Sequence, residues 1–222
     1  MILYLFLWIT LFLPTRILYP TRVINQKFMP KKRGILACNH LSMIDAVYVA
    51  VYTKRKMHFF AKKELQKNFM LRWMVPGVGS VFVERGQADI AAVKKVLQIL
   101  KKEKILLIFP EGTRNLTTED IKELKTGAVT FSVKTGAPIV PIIIWRRPKF
   151  FRRNYIYFGK PFSFEQFKDI RMTHDDKAAA TAILTEKMAE TKEELRQWLL
   201  KKRPHLLKRH EAEMSREQGS EG

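Results

Sequence analysis

The stretch GILACNHLSMIDAVYVAVY, residues 34–52, sets an apolar run, a polar turn and a second apolar run in immediate succession. GILAC (34–38) reads as a buried strand, short and bounded by polar residues. SMID (42–45) matches a capping box, with Ser42 at the N-cap and an acidic residue three positions on, ahead of AVYVAVY. The spacing predicts a helix that starts at Ser42, and hence a strand–loop–helix unit. His40 then lies in the loop and Asp45 in the first helical turn. On one continuous helix, side chains five positions apart diverge by about 140°. With only part of the interval helical, the Asp45 carboxylate can face back towards His40. The helix N-terminus favours that carboxylate as an anion. It can accept a hydrogen bond from one imidazole nitrogen and leave the other as a proton acceptor. Lone capping boxes and lone loop histidines are also common without any chemistry. A second pairing competes: a strand running through His40 would place it on one face with Cys38, as base and thiol nucleophile. Against that pairing, Cys38 closes an apolar strand and reads as buried.

On either side, short apolar runs alternate with helical patterns. SVFVE (80–84), ILLIF (105–109), IVPIII (139–144) and NYIYFG (154–159) read as strands. Ile90, Val93, Leu97 and Leu100 form an apolar stripe at helical spacing, with Lys94, Lys95, Lys101 and Lys102 on the other faces. Residues 175–202 are helical in pattern, with Leu184, Met188, Leu195 and Leu199 on one side. The alternation predicts a single α/β domain whose mostly parallel central sheet is covered by helices. Pro141 inside the fourth run argues for an edge strand or a bulge there. From Pro204 the chain is polar and mixed in charge, and is expected to be disordered. The expected divisions are 1–28 as an N-terminal anchor, 29–203 as the folded domain and 204–222 as a tail.

Forty-one Lys and Arg against twenty-one Asp and Glu give a formal charge of +20. Such an excess calls for an anionic partner: nucleic acid, an anionic membrane face, a phosphorylated substrate or an acidic protein. A single cysteine excludes an internal disulfide and fits a reducing compartment. The opening MILYLFLWITLFL has only Thr10 as a polar residue. It is short of the about 20 apolar residues that a spanning helix needs, and lacks the basic start and cleavage site of a secretory signal. It reads as a one-sided interfacial anchor, with Tyr4, Trp8 and Tyr19 at headgroup level; a buried helix is the alternative. Arg16, Arg22, Lys27, Lys31, Lys32 and Arg33 follow, which places the body on the cytoplasmic face of an anionic membrane. Membrane, rather than nucleic acid, is the expected partner.

Further basic groups sit at strand ends. FPEGTR (109–114) leaves a strand in a polar turn, where Gly112 permits close backbone approach beside Glu111, Thr113 and Arg114. Arg114 offers a planar, two-pronged donor suited to phosphate. GVGSVFVERG (77–86) delivers Arg85, and AKKEL (61–65) brings Lys62 with Lys63 beside it. Sites in open α/β sheets gather beyond the carboxyl ends of strands, and His40, Arg85 and Arg114 all follow strand ends.

With these blocks in order, the sequence resembles the glycerolipid acyltransferases, the family typified by bacterial 1-acyl-glycerol-3-phosphate acyltransferase. NHLSMID resembles the family's first block, a His-x4-Asp spacing after an asparagine; GSVFVERG its second; FPEGTR its third; and APIVPI (137–142) its fourth. The resemblance covers roughly residues 30–160, and the first and third blocks are the specific ones. Glu84 departs from the pattern, standing where an aspartate is frequent.

The resemblance implies that His40 is the general base for a lysophospholipid hydroxyl, oriented by Asp45, with direct attack on an acyl thioester. It implies that Arg85, Arg114 and Lys62 hold the acceptor phosphate and that Glu111, Gly112 and Thr113 shape that pocket. It also implies that Pro141, in the fourth block, shapes the acyl region rather than doing chemistry. The expected reaction forms phosphatidate by acylating the sn-2 hydroxyl of 1-acyl-glycerol 3-phosphate, with acyl carrier protein or coenzyme A as the thioester carrier. Glycerol 3-phosphate or another lysolipid is the alternative acceptor. From another class, a non-enzymatic basic protein binding membrane or nucleic acid predicts salt-sensitive nucleic-acid binding and indifference to His40→Ala. There is no paired-cysteine or HExxH spacing, so no metal and no cofactor is expected. GVGSVF lacks the third glycine of a dinucleotide fingerprint, and no Walker lysine motif occurs.

Overall fold

The computed structural model describes residues 13–53, 55–62, 81–83, 90–115, 121–167 and 170–219. Residues 13–18 are helical. There follow β1 (Thr21–Ile24), β2 (Gly34–Cys38), α1 (Asp45–Thr53), β3 (Met57–Lys62), β4 (Val81–Val83), α2 (Ile90–Lys101) and β5 (Ile105–Ile108). Then come α3 (Gly127–Thr135), β6 (Ile139–Ile144), β7 (Asn154–Phe158), α4 (His174–Lys202) and α5 (Pro204–Gly219). The seven strands form one sheet in the order β1-β7-β6-β2-β5-β3-β4. Every pairing is parallel except β6 with β7. The expected α/β architecture with a mostly parallel sheet is present.

Side chains leave a strand on alternate faces, and here both faces are covered, so the central strands are apolar throughout. In β2, Ile35 and Ala37 join the core under α2, α3 and α4, whereas Leu36 and Cys38 join the core under α1. Leu106 and Ile108 of β5 point to the first core, Ile105 and Leu107 to the second. The first core also takes Leu184, Met188, Leu195 and Leu199 of α4, all fully buried as the periodicity predicts. Each such side chain contributes about 1.5–3 kcal/mol by leaving water. α4 opens on a complete capping box, Thr173 with Asp176.

Several expectations need correction. Pro141 does not lie on an edge, because β6 runs between β7 and β2. The bulge is what accommodates it. Ile142 pairs with Phe158, yet Ile139 bridges Phe162, so the register slips by one residue across Pro141. The carbonyl of Pro141 still accepts from the Gly159 amide at 2.9 Å. On α2 the buried face is Ala92, Val96, Ile99 and Leu100, while Ile90 and Val93 are exposed. The predicted stripe was rotated about the helix because it gave Ala92 no weight. β1 lies inside the segment assigned to the anchor, where it pairs with β7, so the folded domain begins by Thr21. The segment after Pro204 is helical to Gly219 rather than disordered. Pro204 suits a first helical position, and Leu207 is buried in the first core. Residues 1–12, the apolar start of the expected anchor, lie outside the described residues.

Candidate active site

β2 and β5 are neighbours and parallel, so the loops that leave them meet at one edge of the sheet. Four hydrogen bonds fix the β2 loop there. The Asn39 side chain, buried, accepts from the Ile144 amide at 2.8 Å and donates to the Ile144 carbonyl at 3.0 Å. It thereby clamps the end of β2 onto β6. The His40 amide donates to Glu111 Oε1 at 3.0 Å, and the His40 carbonyl accepts from the Asn115 amide at 2.7 Å. His40 is thus gripped, backbone first, by the turn after β5.

The imidazole is held as firmly. His40 Nδ1 lies 2.9 Å from Asp45 Oδ2, and the ring stacks on Phe109 with centroids 4.1 Å apart. The same oxygen accepts the Leu41 and Ser42 amides at 2.6 and 2.7 Å. The capping box at Ser42 is therefore only half formed. Its acidic half is present, but Ser42 Oγ meets the Ile44 amide at 3.5 Å and the helix begins at Asp45. The physical reason is that Asp45 caps the loop and the imidazole together, which draws the chain into a turn before the helix. Asp45 is fully buried, and its Oδ1 has no hydrogen-bond partner among the described residues. The His40 side chain keeps 12% exposure. With Nδ1 committed to a carboxylate, Nε2 is the nitrogen left to exchange a proton.

The Phe109–Asn115 turn follows. Gly112 adopts φ 71°, a left-handed conformation that favours glycine. Its amide donates to the Phe109 carbonyl at 3.1 Å, and the Lys125 amide to that of Pro110 at 2.7 Å. Glu111 is buried, and its Oε2 has no hydrogen-bond partner among the described residues. Burial raises its carboxyl above the ordinary range, against the backbone amides of His40 and Lys122. Buried and bonded to the His40 amide, Glu111 positions the histidine loop rather than facing outwards. Gly112, Thr113 and Arg114 are exposed on the same turn, within three residues of the Asn115 amide that binds the His40 carbonyl.

The expected phosphate ligands divide. Arg114 sits on the exposed turn directly before Asn115, whose amide binds the His40 carbonyl. Lys62 has its backbone at the carboxyl end of β3, which pairs with β5; its side chain, and Arg85 and Lys63 entirely, lie outside the described residues. The thiol alternative fails. Cys38 is buried, and desolvation, with Asp45 and Glu111 nearby, pushes its thiol well up, away from the nucleophilic thiolate. Sequence reasoning missed Arg147, whose Nε donates to the Leu41 carbonyl at 3.3 Å. The signal was a basic pair just after a strand, at the edge where the other cations gather.

A dyad of imidazole and buried carboxylate thus lies at the carboxyl edge of the mostly parallel sheet of an α/β protein, its loop bonded to the glycine turn that carries Arg114. The chain belongs to the acyltransferase family: the family model described as Acyltransferase matches residues 20–145. It is 34% identical over 122 residues to the 1-acyl-sn-glycerol-3-phosphate acyltransferase of Bacillus subtilis (strain 168), covering 54% of this chain and 60% of that protein. It is 30% identical over 183 residues to the enzyme of the same name from Streptococcus pneumoniae, covering 78% and 66%. The crystal structure of the 1-acyl-sn-glycerophosphate acyltransferase PlsC from Thermotoga maritima shares the fold, with a TM-score of 0.59 at 23% identity over 77% of this chain and 71% of that one. Across the first three curated relatives the chain spans between 48% and 60% of their length.

Proposed function

We propose that the chain transfers a fatty acyl group from a thioester to the sn-2 hydroxyl of 1-acyl-glycerol 3-phosphate, forming phosphatidate. The observation that supports the reading is the contact between His40 Nδ1 and Asp45 Oδ2 at 2.9 Å: in the tautomer that donates Nδ1–H to the carboxylate, Nε2 is the acceptor. Nε2 takes the hydroxyl proton as that oxygen attacks the thioester carbonyl. The new C–O bond replaces the C–S bond, and the imidazolium returns the proton to the departing thiolate. Asp45 holds the tautomer and stabilises the imidazolium, as the acid of a triad does. A positioned base supplies about 10²–10⁴ in rate. Arg114, with Arg85 and Lys62, holds the acceptor phosphate, and Gly112 and Thr113 shape its pocket.

No metal or cofactor enters this scheme. Acyl carrier protein or coenzyme A presents the acyl group. The membrane is met from its cytoplasmic face through the N-terminal segment, and no helix among the described residues is long and apolar enough to cross it. Family membership and the names of the relatives support the reaction class. The test is to incubate the full chain with labelled lysophosphatidate and each thioester, with glycerol 3-phosphate as the competing acceptor. Labelled phosphatidate is the expected product. Acylation of glycerol 3-phosphate alone would move the acceptor, and no product with either donor would refute the reading.

A further inference from the structure

The connection from β6 to β7, WRRPKFFRR (145–153), carries two adjacent phenylalanines in water: Phe150 is 59% exposed and Phe151 71%. The turn that presents them is braced. Asn154, buried at its base, accepts the Lys149 amide at 3.0 Å and donates to the carbonyls of Lys149 and Arg152 at 3.1 and 2.8 Å. Phe151 sits at φ 52°, which a bulky residue adopts only when its surroundings impose it. Its amide donates to the Leu18 carbonyl at 2.7 Å, and Phe150 stacks on Tyr19 with centroids 4.7 Å apart. The turn therefore adjoins the helical stretch 13–18, where Leu13 and Ile17 are also exposed, at 59% and 60%.

These apolar groups are interleaved with cations. Arg146, Arg147, Lys149, Arg152 and Arg153 occupy five of the nine connecting positions, and Arg16 lies on the neighbouring stretch. Neither 145–153 nor 13–33 contains an aspartate or glutamate. We infer that the β6–β7 turn is a second membrane-docking element, in which Phe150 and Phe151 extend the apolar surface of Leu13 and Ile17 on the N-terminal segment into the interface of an anionic bilayer while the guanidinium groups meet lipid phosphates. Protruding apolar side chains ringed by cations suit a fluid, negatively charged interface. A nucleic acid would use the charges and ring faces but leave Leu13 and Ile17 in water. Through the Arg147 bond to Leu41, the connection adjoins the histidine loop, so docking there sets the mouth of the site against the lipid. The surface stands on its own observations and does not depend on the acyl-transfer reading.

The test places an environment-sensitive fluorophore on Phe151→Cys in the full chain; Cys38 is buried and does not compete for label. Phosphatidylcholine vesicles with phosphatidylglycerol should shift the emission to the blue, and vesicles without it should not. Added salt should weaken the effect. The double variant Phe150→Ser/Phe151→Ser, with unfolding temperature checked, should lower partition by about tenfold. Turnover on a monodisperse short-chain acceptor should be unchanged. A label that stays in water while the protein binds vesicles through another segment would overturn the proposal. So would a shift produced by an acidic carrier protein or by single-stranded RNA and not by vesicles.

Discussion

The Glu111 carboxylate and the His40 backbone amide meet at 3.0 Å, joining the turn after β5 to the loop after β2 from beneath the site. The contact is buried, and Glu111 also sits among the groups that raise the Cys38 thiol. Removing it leaves the His40 N–H unpaired, which costs about 1–3 kcal/mol. Glu111→Ala should lower the unfolding free energy by that amount and lower kcat with it. Glu111→Gln, which keeps an acceptor, should recover most of both. Equal losses in the two variants would contradict the positioning role.

The same residue predicts a pH dependence. Burial raises the Glu111 carboxyl, so the folded chain binds that proton more tightly than the unfolded chain. Its stability contribution is therefore fullest at low pH and is lost as pH rises through the carboxylate range. Denaturant unfolding of wild type and Glu111→Gln should show the difference moving in favour of the wild type as pH falls from about 7 to about 4. Movement the other way would be inconsistent with a raised carboxyl.

Asn39 makes a prediction of a purely architectural kind. Its side chain satisfies both backbone groups of Ile144, beyond the Cys38–Ile142 end of the β2–β6 ladder. Asn39→Ala should lose about 2–4 kcal/mol, two buried groups being left unpaired. Asn39→Asp should not rescue it, since a carboxylate cannot donate to the carbonyl. Urea titrations of the three proteins decide this.

Cys38→Ala should retain turnover and lose about 1 kcal/mol of stability, as a small buried truncation does. Alkylation of the native protein should be slow. An inactive Cys38→Ala with unchanged unfolding would restore the thiol mechanism.

Much of this was legible in the sequence for a simple reason. Both faces of the central sheet are covered, so β2, β5 and β6 are unbroken apolar runs between turn residues, and the pattern cannot be mistaken. The placement of His40 before a helix followed from Ser42 and Asp45 alone. β1 was missed because a four-residue edge strand after Pro20, with Arg22 within it, has too little pattern to stand out. MHFFAK (57–62) was missed because a buried histidine and aromatics gave no clean alternation. Asn39, Glu111 and Arg147 act through backbone groups distant in sequence, and their roles appear only when three strand ends are brought together.

The phosphate-binding role proposed for Arg114 predicts a split between binding and chemistry. Arg114→Ala should raise the acceptor KM by about ten- to a hundredfold, the range of a lost charge-assisted contact, with kcat less affected. Lysine should restore it only in part, because it lacks the planar fork.

The central claim is that Nε2 of His40, with Nδ1 held by Asp45, takes the acceptor's proton. Its most direct test is single-turnover acylation of lysophosphatidate by wild type and His40→Ala, with acceptor affinity measured on both. A fall in rate of about 10²–10⁴ with affinity retained is predicted. Transfer at the wild-type rate without that imidazole would contradict it.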